Sequence, residues 1–221
     1  MPERLGASVG LLGGSFNPVH NGHLRMAIEV GERLGLERVD LLPAKVPPHK
    51  GSRGLLDFEL RVDLLRAAVA GVAGLGVSDI EGRLPVPSYS YATLARIGRD
   101  CPGTHHVFVL GAADLLTLPS WHRGLELPLL TDIVVVDRMG LGSEAVAEFL
   151  NRHWTLSGEE TGVWTLKGGR RVFFVSVPRI DISASMVRDR FCAGRELSGL
   201  VPDVIRQRMM ADALLFTACW K

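Results

Sequence analysis

Val9-Gly10-Leu11-Leu12-Gly13-Gly14-Ser15-Phe16-Asn17-Pro18-Val19-His20-Asn21-Gly22-His23-Leu24 contains the change of period that decides the fold. Its first four residues are short and apolar and stop at a glycine pair, as a buried strand does. From Leu24 onward, Leu24, Ala27, Ile28, Gly31 and Leu34 fall on one helical face. A strand that turns through glycines straight into a helix opens a βα unit. Glycine lets the backbone approach a ligand closely, with N–H groups free to hold phosphate. The turn lacks the Gly-Lys-Ser/Thr ending of a Walker A loop, and it is not the GxGxxG dinucleotide fingerprint. Instead, His20 and His23 stand three apart at the helix start, where both rings can face one side of the first turn. That end of a helix carries partial positive charge and unpaired N–H donors. Two imidazoles there suit a polyphosphate, whose charge grows on the leaving oxygens during transfer. A lone histidine would be explained by capping or packing; a pair in this setting favours chemistry.

The same alternation continues along the chain. Val39–Leu42 is a second strand, ending at Pro43, and Leu56–Val72 is helical. Leu75–Ile80 reads as a third strand, Tyr91–Ile97 as a helix, and His106–Leu110 as a strongly apolar strand ending at Gly111. Ile133–Val136 and Val172–Val175 are two further strands. Strands apolar on both faces that alternate with amphipathic helices imply an α/β fold, a doubly wound parallel sheet with helices on both faces. Ligands in such folds sit beyond the carboxyl ends of the strands. One domain over residues 1–221 is expected, with residues 140–171 an excursion and 183–221 a C-terminal helical part. The excursion reads as a helix over Glu144–His153 and a β-hairpin over Trp154–Leu166, a structural elaboration or an oligomer surface. Pro202–Leu215 reads as one helix with proline in its first turn.

Composition bounds the partners. With 25 basic and 24 acidic residues among 221, the chain lacks the basic excess of a nucleic-acid binder, but a small anionic substrate needs only local charge. The three cysteines have no CxxC spacing, which argues against a disulfide framework or a structural zinc site. The N-terminus has no signal-peptide core, and no apolar run approaches the roughly 18 residues that span a bilayer. A cytoplasmic protein without membrane or nucleic-acid partners is expected, with homo-oligomerisation left open.

Further segments resemble functional loops once they are placed on this frame. In Asp181-Ile182-Ser183-Ala184-Ser185-Met186-Val187-Arg188 a serine can cap the next helix, with Arg188 one turn in, and a guanidinium fork suits phosphate. Lys45-Val46-Pro47-Pro48-His49-Lys50 is a stiff loop after the second strand that carries positive charge. Pro87–Leu94 opens a helix, Gly111–Trp121 follows the strongest strand, and Arg138 ends another.

Together these residues resemble the HxGH nucleotidyltransferase superfamily, and within it the bacterial nicotinate-nucleotide adenylyltransferases. The opening motif GG[ST]F[DN]PxHxGH is complete. The segment at Ser183 is similar to ISxTxxR, with Ser185 in place of threonine. The resemblance implies a Rossmann-like fold that joins ATP to nicotinate mononucleotide, giving deamido-NAD and pyrophosphate. It implies that Gly13, Gly14, Ser15, Phe16, His20, His23, Ser183, Ser185 and Arg188 bind ATP, with His20, His23 and Arg188 catalytic. His49 and Lys50 would reach phosphate, and Mg²⁺ would arrive with ATP. Ser90, Asp114, Trp121 and Arg138 would hold the mononucleotide, with Trp121 stacked on the pyridine. The family aspartate falls at Ala113, so Asp114 would have to substitute for it. A sister transferase making dephospho-CoA or a CDP-alcohol is the second reading.

Overall fold

Ser8–Gly14 (β1) lies inside an eight-stranded sheet in a computed structural model that describes residues 4–48, 53–138 and 140–221. Around it, in chain order, are α1 (Asn21–Leu34), β2 (Arg38–Pro43), α2 (Phe58–Val69), β3 (Leu75–Val77), α3 (Ser90–Asp100), β4 (His105–Gly111), α4 (Ala112–Thr117) and β5 (Asp132–Asp137). Then follow α5 (Gly142–His153), β6 (Leu156–Glu160), β7 (Val163–Leu166), β8 (Arg171–Ser176), α6 (Ala184–Cys192), α7 (Asp203–Ala211) and α8 (Ala213–Trp220). The strand order is β3-β2-β1-β4-β5-β8-β7-β6, parallel from β3 through β8. The order reverses between β1 and β4, the switch point at which doubly wound sheets open a crevice.

Period-2 alternation sends side chains to two cores. Leu12, Leu41, Val109, Val136 and Val175 face α1, α2 and the C-terminal helices α6, α7 and α8. Leu11, Leu42, Phe108, Leu110 and Val135 face α3, α4 and α5. Both faces are therefore covered, as the apolar strands required. No helix among the described residues is long and apolar enough to cross a membrane.

The structure departs from the sequence reading in three places. The sheet is not wholly parallel: β7 pairs antiparallel with β8, and β6 with β7 through a register shift between Leu156 and Gly158. Residues 140–171 do supply the expected helix, α5, whose Val146, Phe149 and Leu150 are buried, and the expected hairpin, which inserts Trp164 into the second core and extends the sheet. The third strand stops at Val77: Ser78 donates a last hydrogen bond to the Leu41 carbonyl, and Asp79 turns out to pair with Arg66. The C-terminal helix is two helices. Asp212 leaves helical geometry and accepts the Arg208 guanidinium, which turns α8 so that buried Phe216 and Trp220 meet Phe191, with ring centroids 6.0 and 5.7 Å from it.

Candidate active site

The carboxyl ends of β1, β2, β4 and β5 form the floor of a cleft of about 1030 Å³, lined from β1 by Gly13 and Gly14, from β4 by Gly111 and from β5 by Asp137. Local sterics explain the glycines. A Cβ on Gly14 would stand 2.9 Å from the Phe16 ring, which folds back because Phe16 itself is left-handed (φ 45°). That conformation is costly for an aromatic residue and typical of functional turns. Phe16 does not line the cleft: it is buried, and the edge-to-face contact of its ring with His23, centroids 4.8 Å apart, braces that imidazole.

His20 is the N-cap of α1, and its ring stacks on that of His23 at 3.6 Å and 21°. The intervening glycine leaves room for this stack, since a Cβ on Gly22 would stand only 3.1 Å from His20 Nδ1. The His20 backbone N–H donates to His23 Nδ1 at 3.3 Å. A neutral His23 therefore carries its proton on Nε2. His20 is only 2% exposed, and its Nδ1 has no hydrogen-bond partner among the described residues. Burial, helped by the positive charge of Arg138, lowers its pKa to about 4, so at neutral pH it is an uncharged imidazole. Positive charge in the cleft comes from the arginines and helix N-termini instead.

Ser183 caps α6 by accepting the Met186 N–H, and its hydroxyl lies 3.1 Å from that of Ser185. Arg188 Nη1 donates to the Asn17 carbonyl at 2.8 Å, which ties α6 to the loop after β1. The Asn17 side chain in turn donates to the Gly54 carbonyl and accepts the Leu56 N–H. At the end of β5, Asp137 accepts the N–H groups of Gly140, Leu141 and Gly142, and exposed Arg138 projects beside the cleft.

The far side of the cleft is built by α3 and α4. Ser88, Tyr89 and Ser90 line it at the start of α3, and Asp114 lines it from the first turn of α4. Asp114 leans back over the end of β4, where a Cβ on Gly111 would meet its Oδ2 at 3.1 Å. Trp121 is on the cleft wall, its indole N–H donating to Thr117 Oγ1 at 3.0 Å. Of the residues singled out from sequence, the cleft thus gathers Gly13, Gly14, Ser15, His20, His23, Ser90, Asp114, Trp121, Arg138, Ser183, Ser185 and Arg188. His49 and Lys50 lie outside the described residues.

Several residues that organise the site escaped sequence reasoning. Arg61, on α2, is fully buried and donates to four backbone carbonyls: Leu56 (2.9 Å), Ser15 (2.9 Å), Ala44 (2.7 Å) and Lys45 (2.9 Å). It thereby clamps the loops after β1 and β2 together. Buried Glu81 accepts the Lys45 N–H and the Thr93 hydroxyl, and Ser88 accepts the Val46 N–H, joining the β2 loop to α3. His122 lines the cleft next to Trp121.

Known proteins resemble this chain in sequence and in fold. Residues 11–190 match the cytidylyltransferase-like family. The "probable nicotinate-nucleotide adenylyltransferase" of Maridesulfovibrio salexigens is 37% identical over 204 residues, covering 91% of this chain and 94% of its own. The protein of the same name from Aeromonas salmonicida is 37% identical over 216 residues, covering 95% and 99%. Among solved structures, the nicotinic acid mononucleotide adenylyltransferase of Plasmodium falciparum complexed with NaAD superposes with a TM-score of 0.73 at 14% identity, covering 95% of this chain and 97% of that one. That likeness bears on the fold, and the sequence matches bear on the family. The chain belongs to the cytidylyltransferase-like family and, within it, to the nicotinate-nucleotide adenylyltransferases.

Proposed function

We propose that the protein transfers the AMP part of ATP to nicotinate mononucleotide, forming deamido-NAD and pyrophosphate for NAD biosynthesis. The observation that carries this reading is one cleft in which a stacked histidine pair at the α1 N-terminus and Arg188 on α6 face a wall bearing Trp121 and the start of α3. The first group suits a polyphosphate and the second a flat ring with a carboxylate.

The mononucleotide phosphate is ionised near neutral pH, so it attacks the α-phosphorus without a general base. A new P–O bond forms as the bond from the α-phosphorus to the bridging oxygen breaks, and pyrophosphate leaves with that electron pair. Catalysis then rests on alignment and charge stabilisation. His23 donates from Nε2, while Arg188, Arg138 and the N-terminus of α6 supply positive charge. His20 begins neutral, and an arriving polyanion raises its proton affinity, so it gains charge only when phosphate is there to share it. Gly13, Gly14 and Ser15 offer backbone to the phosphates, and Ser183 and Ser185 offer hydroxyls. Phe16 contributes by bracing His23. His49 and Lys50 act on phosphate, and Ser90, Asp114 and Trp121 hold the mononucleotide.

Mg²⁺ belongs to the proposal as a companion of ATP. Among the described residues no group of three His, Cys, Asp or Glu side chains is placed to cage a cation, a donor set that fits an ion held by phosphate oxygens and water. The ion would add charge neutralisation on the leaving pyrophosphate. The cytoplasm is the proposed compartment, supported by the unpaired thiols of Cys101, Cys192 and Cys219.

The test is pyrophosphate release from ATP with nicotinate mononucleotide, nicotinamide mononucleotide and phosphopantetheine. Nicotinate mononucleotide should be the fastest. Faster turnover of phosphopantetheine would move the enzyme to the sister transferases.

A further inference from the structure

Trp121–Gly124 is a four-residue turn closed by the Gly124 N–H donating to the Trp121 carbonyl at 3.1 Å. The turn is tightly built: a Cβ on Gly124 would stand 2.1 Å from the Leu118 carbonyl oxygen, and Arg123 is left-handed with φ 55°. Its two central residues, His122 and Arg123, point to different tasks. The Arg123 guanidinium sits 3.7 Å over the Tyr91 ring and donates to both Glu126 oxygens at 2.9 and 2.5 Å. It is committed to holding the turn and does not line the cleft. His122 is exposed on the cleft wall, its ring packed on Tyr89 with centroids 4.3 Å apart and planes tilted by 33°. Among the described residues no hydrogen bond or ion pair occupies its ring nitrogens, which face the cleft as groups a ligand can use.

The location gives this imidazole a use. It follows Trp121 directly, and it rests on the residue that precedes Ser90 at the start of α3. The basic side chains His20, His23 and Arg188 belong to α1 and α6, at the phosphate end. A pyridine ring stacked on Trp121 would present its carboxylate near the Tyr89–Ser90 corner, where free helix N–H groups accept an anion but carry no full charge. Backbone donors also accommodate an amide oxygen, so they separate acid from amide weakly. A full positive charge separates them well, because only the acid is an anion.

We propose that His122 is a specificity-determining residue: its imidazole pairs with the carboxylate on the pyridine ring, an ion pair the amide cannot form, and so favours the acid mononucleotide over the amide. The groups that face it fit this role. Tyr89 supplies a flat neutral support, and Arg123 is neutralised by Glu126. This proposal rests on the nicotinate reading of the cleft.

The test compares wild type with His122→Phe, which keeps a ring on Tyr89 without charge, and His122→Lys, which keeps charge without the ring. Pyrophosphate release is followed with saturating ATP and either the acid or the amide mononucleotide. His122→Phe should lose roughly tenfold of the acid-over-amide ratio in kcat/KM, the worth of one charge-assisted hydrogen bond. The loss should appear in KM for the acid, with KM for ATP and for the amide unchanged. His122→Lys should retain most of the preference. An unchanged ratio in His122→Phe overturns the proposal, as does an equal loss with both mononucleotides and ATP, which would mean that the ring only supports the turn. A wild-type enzyme with no acid preference would refute the nicotinate reading itself, a result distinct from either.

Discussion

Arg61→Met removes a fully buried guanidinium while keeping most of the aliphatic stem, so its effect reports on the four carbonyl bonds. Hydrogen bonds from a charged donor contribute about 1.5–3 kcal/mol each, roughly 6–12 kcal/mol for four. Against this stands the desolvation of the guanidinium, several kcal/mol, which the variant no longer bears. The net cost of breaking such a buried charged network is about 3–5 kcal/mol. For a chain of this size that is a drop in Tm of roughly 6–20 °C. Urea unfolding followed by circular dichroism measures it, with Arg25→Ala as the control. Half of that residue's side chain is exposed, and its buried partner Glu29 keeps Arg33 as a second partner, so its loss should cost less than about 1 kcal/mol. The ordered carbonyls belong to Ser15, Ala44 and Lys45, so the folded fraction of Arg61→Met should also show a raised KM for ATP. A destabilisation below about 1 kcal/mol would refute the clamp, because it would mean that the four carbonyls are satisfied without Arg61.

The depressed pKa of His20 makes stability depend on pH. The unfolded chain takes up this proton near the ordinary value of 6.5 and the folded chain only near 4, so stability should fall as pH drops through that window, by about 3 kcal/mol. Denaturant midpoints near pH 4 and near pH 7 should therefore converge partly in His20→Asn, and an identical pH slope in variant and wild type would contradict the assignment. His23→Ala should lower kcat by orders of magnitude with an unchanged circular dichroism spectrum, and near-wild-type turnover would remove His23 from the mechanism. Trp121→Ala should raise KM for nicotinate mononucleotide far more than KM for ATP; equal constants would make Trp121 structural.

The sheet was legible because its signals are local. Val9–Leu12, His106–Leu110 and Ile133–Val136 are uninterrupted apolar runs, and a doubly covered sheet needs just such runs. The His20–His23 pair was legible from its helical spacing. Arg61 was not, because an arginine on an amphipathic helix reads as a solvated charge, and its four acceptors come from three separate segments of chain. Glu81, Ser88 and Asn17 escaped for the same reason: each is satisfied by partners distant in sequence. The break at Asp212 was hidden because the apolar period continues across it; the change of direction is dictated by the aromatic cluster of Phe191, Phe216 and Trp220. The state of His20 depends on burial and on Arg138, a loop residue from the far end of β5, and no spacing rule reports that.

The hairpin beside β8 also bears on how a long parallel sheet ends. Each outer strand of an open sheet offers a row of unpaired peptide groups that another chain can extend. Here one border is β3, only three residues long. The other is β6, whose pairing slips between Leu156 and Gly158 and which carries exposed Glu159 and Glu160. A short strand at one end and an irregular, acidic strand at the other leave little straight template for a stranger to join. By turning back antiparallel, residues 156–166 cover the flank of β8 along its apolar Val172 and Phe173, and put a charged strand at the border in its place. The segment that supplies no residue to the cleft thus guards the sheet beneath it against growing into a polymer.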